Sequence, residues 1–150
     1  MQMGGIHIRQ AVPEDIPAVC KIENTGPGLW NENHFYTELE NTFSRFIVAT
    51  EGGNIIGYAV AWLVADEIQI NSIAVREDFR RLGIGSALMR HIIMSADIAS
   101  NARILLEVSG SNSGALSFYK HFGFIGTGKR KNYYRDSDAI LMELVIKNES

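Results

Sequence analysis

The stretch that most limits what this chain can become is Asn71-Ser72-Ile73-Ala74-Val75-Arg76-Glu77-Asp78-Phe79-Arg80-Arg81-Leu82-Gly83-Ile84-Gly85-Ser86-Ala87-Leu88. Ile73, Ala74 and Val75 are apolar and suit the end of a strand. Residues 76–81 are charged, lack an apolar period and read as a loop. From Ile84 the apolar positions Ile84, Leu88 and Ile92 recur at helical spacing, with Met89 and Ile93 beside them. The order is strand, short loop, helix, with Gly83 and Gly85 where loop becomes helix.

A helix start of this kind favours an anion. Its first backbone N–H groups have no intrahelical partner, and the helix dipole adds partial positive charge. Glycines keep side chains away from those N–H groups. Arg80 and Arg81 add formal charge and planar donors. Arg80, Arg81, Leu82, Gly83, Ile84, Gly85 and Ser86 therefore form a candidate pyrophosphate cradle. A P-loop would need Gly-Lys-Ser/Thr here, but Ser86-Ala87 follows Gly85; a dinucleotide fingerprint would need glycine where Leu88 stands. What remains, Arg80-x-x-Gly83-x-Gly85-x-Ala87, resembles the acetyl-CoA signature of the GNAT N-acetyltransferases. That resemblance implies acetyl-CoA on the cradle, its pantetheine arm paired along Ile73, Ala74 and Val75. The plainer alternative is a glycine-softened helix start with two solvated arginines.

The rest of the chain can be read in order. Residues 6–9 alternate and read as a strand. Pro13 suits a helix start, with Glu14 and Asp15 complementing its dipole, and that helix runs to about Asn24. Gly26-Pro27-Gly28 ends it. Asn31 is a candidate N-cap for a second helix carrying Phe35 and Leu39. Residues 46–49, 55–64 and 67–75 read as an antiparallel meander, with Gly57 marking a bulge or a close backbone approach. The cradle helix ends near Ser100-Asn101. Residues 103–108 form a strand expected to lie parallel to 67–75, since a helix joins them. Asn112 caps a short helix through His121, and Gly123 stops it. Residues 139–146 are strand-like. Residues 124–127 are a candidate further strand, with 129–138 read as a loop.

The order is β-α-α-β-β-β-α-β-α-β-β. It matches the GNAT fold, an α/β (α+β) mixed sheet flanked by helices and splayed after the fourth strand. No Pro/Gly/Ser-rich linker divides the 150 residues, so a single domain over 1–150 is expected. A net charge of −3 gives no argument for nucleic acid or an anionic membrane. Cys20 is the only cysteine and lies on an apolar helical face with Ile16 and Val19, so a buried structural thiol is expected. With no signal peptide and no membrane-length apolar run, the expected location is cytoplasmic. His7, His34, His91 and His121 have no ligand spacing, so no metal is expected.

Two residues could move protons. Glu107 is a carboxylate inside the apolar run Ile104-Leu105-Leu106-Glu107-Val108, where burial would make it a useful base. Alternation instead allows it simply to face solvent. Tyr119 is a candidate acid, or a core aromatic on its short helix. Leu106-Glu107-Val108, then Asn112, Tyr119 and Gly123-Phe124, resemble the ribosomal-protein-alanine acetyltransferases, the RimI type within GNAT. The resemblance implies Glu107 as proton acceptor, Tyr119 as proton donor to the CoA sulfur and Asn112 as a cofactor contact. Asn132-Tyr133-Tyr134 resembles that family's C-terminal loop, and Trp30 with Phe35 its early aromatic segment. Trp30, Tyr133 and Tyr134 are thus the implied acceptor contacts. Leu29 and Arg135 stand where the family often has proline, which bears on acceptor choice. Lys129-Arg130-Lys131 reads as a solvated basic run.

The implied reaction is acetyl transfer from acetyl-CoA to a protein N-terminal α-amine, with a ribosomal protein among the candidate partners and a monomer or homodimer as the assembly. A small amine or a lysine side chain is the alternative acceptor. A non-catalytic acyl-CoA-binding module is the alternative of another class.

Overall fold

The computed structural model describes residues 5–24, 30–95, 102–134 and 137–146. The element order is β1 (Ile6–Gln10), α1 (Ile16–Asn24), α2 (Glu32–Leu39), β2 (Ser44–Glu51), β3 (Asn54–Val64), β4 (Glu67–Val75), α3 (Ile84–Ser95), β5 (Ala102–Ser109), α4 (Ser113–Phe122), β6 (Ile125–Tyr134) and β7 (Ser137–Ile146). The seven strands are ordered β1-β2-β3-β4-β5-β7-β6 in one mixed sheet. The chain divides into two units, Met1–Trp62 with Ser72–Asp97, and Leu63–Asn71 with Ile98–Ser150.

In the first unit, β1 and β3 flank β2 in antiparallel ladders. Its core is built from Ile16, Val19 and Ile22 of α1, Phe35 of α2, and Phe46, Val48, Tyr58 and Val60 of the sheet. The helical spacing of the α1 residues sets that face. Cys20 packs partly buried against the cluster, and burial pushes its thiol up. The helix expected from Pro13 opens instead as a 3-10 turn, Pro13–Asp15, with regular helix from Ile16. The reason lies at Pro17: without an N–H it cannot bond back to Pro13, so the first turn tightens. Asn31 caps α2 as expected, accepting the His34 N–H at 2.9 Å. Gly57 answers to both expectations. The β2–β3 register shifts beside it, and a Cβ there would lie 3.2 Å from the Ala74 carbonyl and 3.3 Å from Leu88 Cδ1.

In the second unit, Glu67–Ile70 of β4 run parallel to residues 103–106 of β5, as the helical crossover requires. β7 pairs antiparallel with β5 on one side and β6 on the other. The expected loop over residues 129–138 is corrected: β6 continues through Tyr134, and Ser137 already belongs to β7. The reason is position. β6 is the edge strand, and residues 125–131 are exposed throughout, so no apolar alternation marks them in the sequence. Leu29 and Arg135, with Gly26, Pro27, Gly28, Ser100 and Asn101, lie outside the described residues.

Candidate active site

The first unit carries the cradle. Ile73, Ala74 and Val75 end β4, all half-buried. A one-turn 3-10 segment, Glu77–Phe79, follows where a plain loop was expected. Arg80 Nε donates to the Val75 carbonyl at 3.1 Å, so this arginine folds back on the strand and keeps its two terminal nitrogens for other partners. Arg81 takes φ 65 and Gly83 φ 83. Left-handed backbone is costly for an arginine, and such residues gather where a backbone is held for binding. A Cβ on Gly83 would meet nothing within 4 Å, so space stands open beside it. Leu82 is exposed, whereas Ile84 is buried and anchors the helix. The Ala87 N–H bonds the Gly83 carbonyl at 3.0 Å, which leaves the amides of Ile84, Gly85 and Ser86 as first-turn donors without helical acceptors. Open space, alternating left-handed residues and free first-turn amides fit a pyrophosphate.

Trp30 also belongs to this unit. Its indole lies 5.2 Å from the Phe35 ring and 6.0 Å from that of His34, so it is fixed by packing. Its backbone N–H donates to Glu23 Oε2 at 3.1 Å. Glu23 is only 1% exposed, and its other oxygen accepts from the Tyr58 hydroxyl, which also lies 2.6 Å from Ser72 Oγ. Burial, then the Glu23 carboxylate, push the Tyr58 phenol far above its ordinary value. Sequence reading missed this network. Its members are far apart in the chain, and only a glutamate at an apolar helical position hinted at it. A groove of about 570 Å³ in the same unit is lined by Ala18, Lys21, Ile22, Ile55 and the Arg76–Asp78 turn, none of them among the expected contacts.

The second unit carries the proton-moving candidates. Glu107 stands opposite Leu141 in the β5–β7 ladder. Of the two readings, buried or facing solvent, the side chain takes an intermediate place: it is 28% exposed, and Oε1 lies 3.0 Å from Arg130 Nη2. The cause is β6, whose extension through residue 130 brings a guanidinium to the carboxylate. Arg130 Cζ also sits 5.5 Å from the Tyr133 ring centre, so Glu107, Arg130 and Tyr133 form one chain of contacts. Tyr133 is exposed, and Tyr134 pairs through its backbone with Ser137; both sit on a strand rather than in the expected loop. Asn112 caps α4, its Oδ1 accepting from the Ala115 N–H at 3.1 Å, so its amide nitrogen is the group left for a ligand. Gly123 closes the helix at φ 119. Tyr119 is 8% exposed, edge-on to Phe118 and Phe124 at 5.3 and 5.6 Å.

Among the described residues no group of His, Cys, Asp and Glu could hold a metal ion, and no helix is long and apolar enough to cross a membrane. Residues 16–124 match the model of the acetyltransferase (GNAT) family, a span that runs through both units. A Bacillus subtilis protein named as a candidate ribosomal protein bS18-alanine N-acetyltransferase is 37% identical over 93% of this chain and 95% of its own. The Escherichia coli K12 ribosomal protein bS18-alanine N-acetyltransferase is 34% identical over 88% of this chain and 92% of its own. The crystal structure of the Escherichia coli ribosomal-protein-S18-alanine N-acetyltransferase superposes with a TM-score of 0.84 at 31% identity, covering 97% of this chain and 96% of that one.

Proposed function

Because the chain belongs to the acetyltransferase (GNAT) family, we propose that it moves an acetyl group from acetyl-CoA to the α-amine of a protein N-terminus, with an N-terminal alanine of a ribosomal protein as the acceptor class. The observation that carries the reading is the left-handed pair Arg81 and Gly83 at the head of α3, a backbone shape that suits a CoA pyrophosphate. The acceptor class is drawn from what the relatives are named for.

Acetyl-CoA supplies a thioester that the amine attacks. The chain's own groups do the rest. Amides of residues 81–86 and the terminal nitrogens of Arg80 hold the pyrophosphate. The backbone of Ile73, Ala74 and Val75 pairs the pantetheine arm like an added strand. The Asn112 amide nitrogen adds a cofactor contact. Glu107 takes the proton an α-ammonium must lose, and Tyr119 returns one to the departing thiolate. Trp30 in the first unit and Tyr133 in the second are each assigned to the acceptor, as the resemblance implies. An α-ammonium suits a carboxylate base better than lysine does, since lysine costs about 3 kcal/mol more to deprotonate at one pH.

The test is a competition assay read by mass spectrometry. It pits Ala-starting peptides against the same peptides with blocked N-termini and an internal lysine, and against polyamines. The expected product is the Nα-acetylated peptide, with kcat falling by about 10²–10⁴-fold in Glu107→Gln. Preferred acetylation of blocked lysine peptides or polyamines would transfer the reading to those acceptors. An unchanged kcat in both Glu107→Gln and Tyr119→Phe would remove the two roles.

A further inference from the structure

We propose that Arg130 is the resting cation of Glu107, a positioning residue that the incoming α-ammonium displaces; this rests on the acceptor reading above. The geometry is that of a replaceable pair. Arg130 Nη2 lies 3.0 Å from Glu107 Oε1, and the arginine side chain is 57% exposed against 28% for the glutamate. At 3.0 Å the contact is longer than the two hydrogen bonds that join Arg9 to Asp15 in the first unit, at 2.7 and 2.9 Å. The guanidinium also has somewhere to go. Its carbon sits 5.5 Å from the Tyr133 ring centre, near enough for that ring face to hold it once the carboxylate is taken. Its neighbour Lys129 is placed differently, with Nζ 4.0 Å from Asp138, so the basic run does not act as one patch.

The chemistry gives the exchange a purpose. An amine acceptor arrives largely as a cation at neutral pH. A carboxylate meant to receive its proton must first accept it as an ion-pair partner. Between turnovers the same carboxylate stands beside solvent, and Arg130 keeps it aimed and paired. Each cycle therefore trades guanidinium for ammonium at Oε1, then restores the guanidinium after the neutral amide leaves and the Glu107 carboxyl has passed its proton to solvent. A neutral peptide end would have no means to make this trade.

The experiment measures the dissociation constant of an Ala-starting peptide by calorimetry in the presence of CoA, for the parent, Arg130→Gln and Arg130→Lys. Exposed ion pairs of this kind correspond to about two- to five-fold in an equilibrium constant. Arg130→Gln should therefore bind the peptide about two- to five-fold more tightly, with the KM for acetyl-CoA unchanged. Arg130→Lys, which keeps a cation, should stay near the parent. A desamino peptide, lacking the α-ammonium, should bind parent and Arg130→Gln alike. In a Glu107→Gln background the Arg130→Gln effect should vanish. Peptide affinity that is unchanged or weakened in Arg130→Gln overturns the displacement, as does an equal gain for the desamino peptide. Failure of the parent to acetylate any α-amine peptide overturns the acceptor reading itself, so the two failures are distinguishable.

Discussion

Tyr58→Phe removes one oxygen from the most deeply buried polar network of the first unit, and its effect can be worked out in two parts. The ring stays, so the contacts to Phe35 and Phe46 at 5.5 and 6.4 Å survive and the hydrophobic contribution is nearly unchanged. What goes is the donor to Glu23 Oε1, leaving that buried oxygen with Ser72 Oγ at 3.5 Å. Losing this buried hydrogen bond to a carboxylate costs about 1–3 kcal/mol. For a chain of this length that lowers Tm by about 3–9 °C. The second part concerns pH. Burial raises the Tyr58 phenol far above the value near 10 that it has when unfolded. A raised folded pKa means the contribution is whole below pH 10 and is lost above it, as the unfolded chain alone releases its proton. Parent stability should then fall by about 1.4 kcal/mol per pH unit beyond pH 10, and Tyr58→Phe should lack that fall. Urea unfolding followed by tryptophan fluorescence suits the measurement, because Trp30 and Trp62 both lie in the first unit. The parent–mutant difference should be largest near pH 8 and shrink between pH 10 and 11. A difference that is absent at pH 8, or constant to pH 11, would refute the reasoning.

Gly83→Ala places a methyl group where nothing lies within 4 Å but at φ 83, so it should cost about 1–2 kcal/mol of stability through backbone strain alone. Its acetyl-CoA Kd should rise by about ten-fold or more, and an unchanged Kd by calorimetry would move the pyrophosphate elsewhere. Arg9→Gln should shift acid unfolding, followed by circular dichroism, to higher pH. The Arg9 guanidinium holds the Asp15 carboxyl below its ordinary range, so this stability is present above about pH 4 and is lost as pH falls through the lowered value. An acid midpoint equal to the parent's would contradict that role.

What the sequence made legible were features carried by neighbours in the chain. Asn31 and Asn112 cap because their side chains reach an amide three residues on, and Gly123 stops α4 because only its own backbone must turn left-handed. The cradle was legible for the same reason. The Glu23–Tyr58–Ser72 network was not, since its contacts join residues 35 and 14 apart and no local pattern encodes them. The partner of Glu107 was hidden differently. An edge strand exposed on both faces loses the apolar alternation that identifies strands, so residues 129–134 looked like loop, and the arginine they deliver could not be anticipated. Burial and exposure to solvent were both open for Glu107 in the sequence; an ion pair with a strand neighbour was not among them.

The placing of β7 between β5 and β6 has a consequence for how the chain is made. β7 is synthesised after both of its neighbours, yet it supplies the pairing for all of β5 from Ala102 to Ser109 on one side and for β6 on the other. While the nascent chain grows, β5 and its glutamate are already out with one edge unpaired, and an unpaired apolar edge is a template for other chains. A polypeptide that stalls or is clipped before Ser137 would therefore not be a shortened enzyme. It would be two open strand edges in search of a partner.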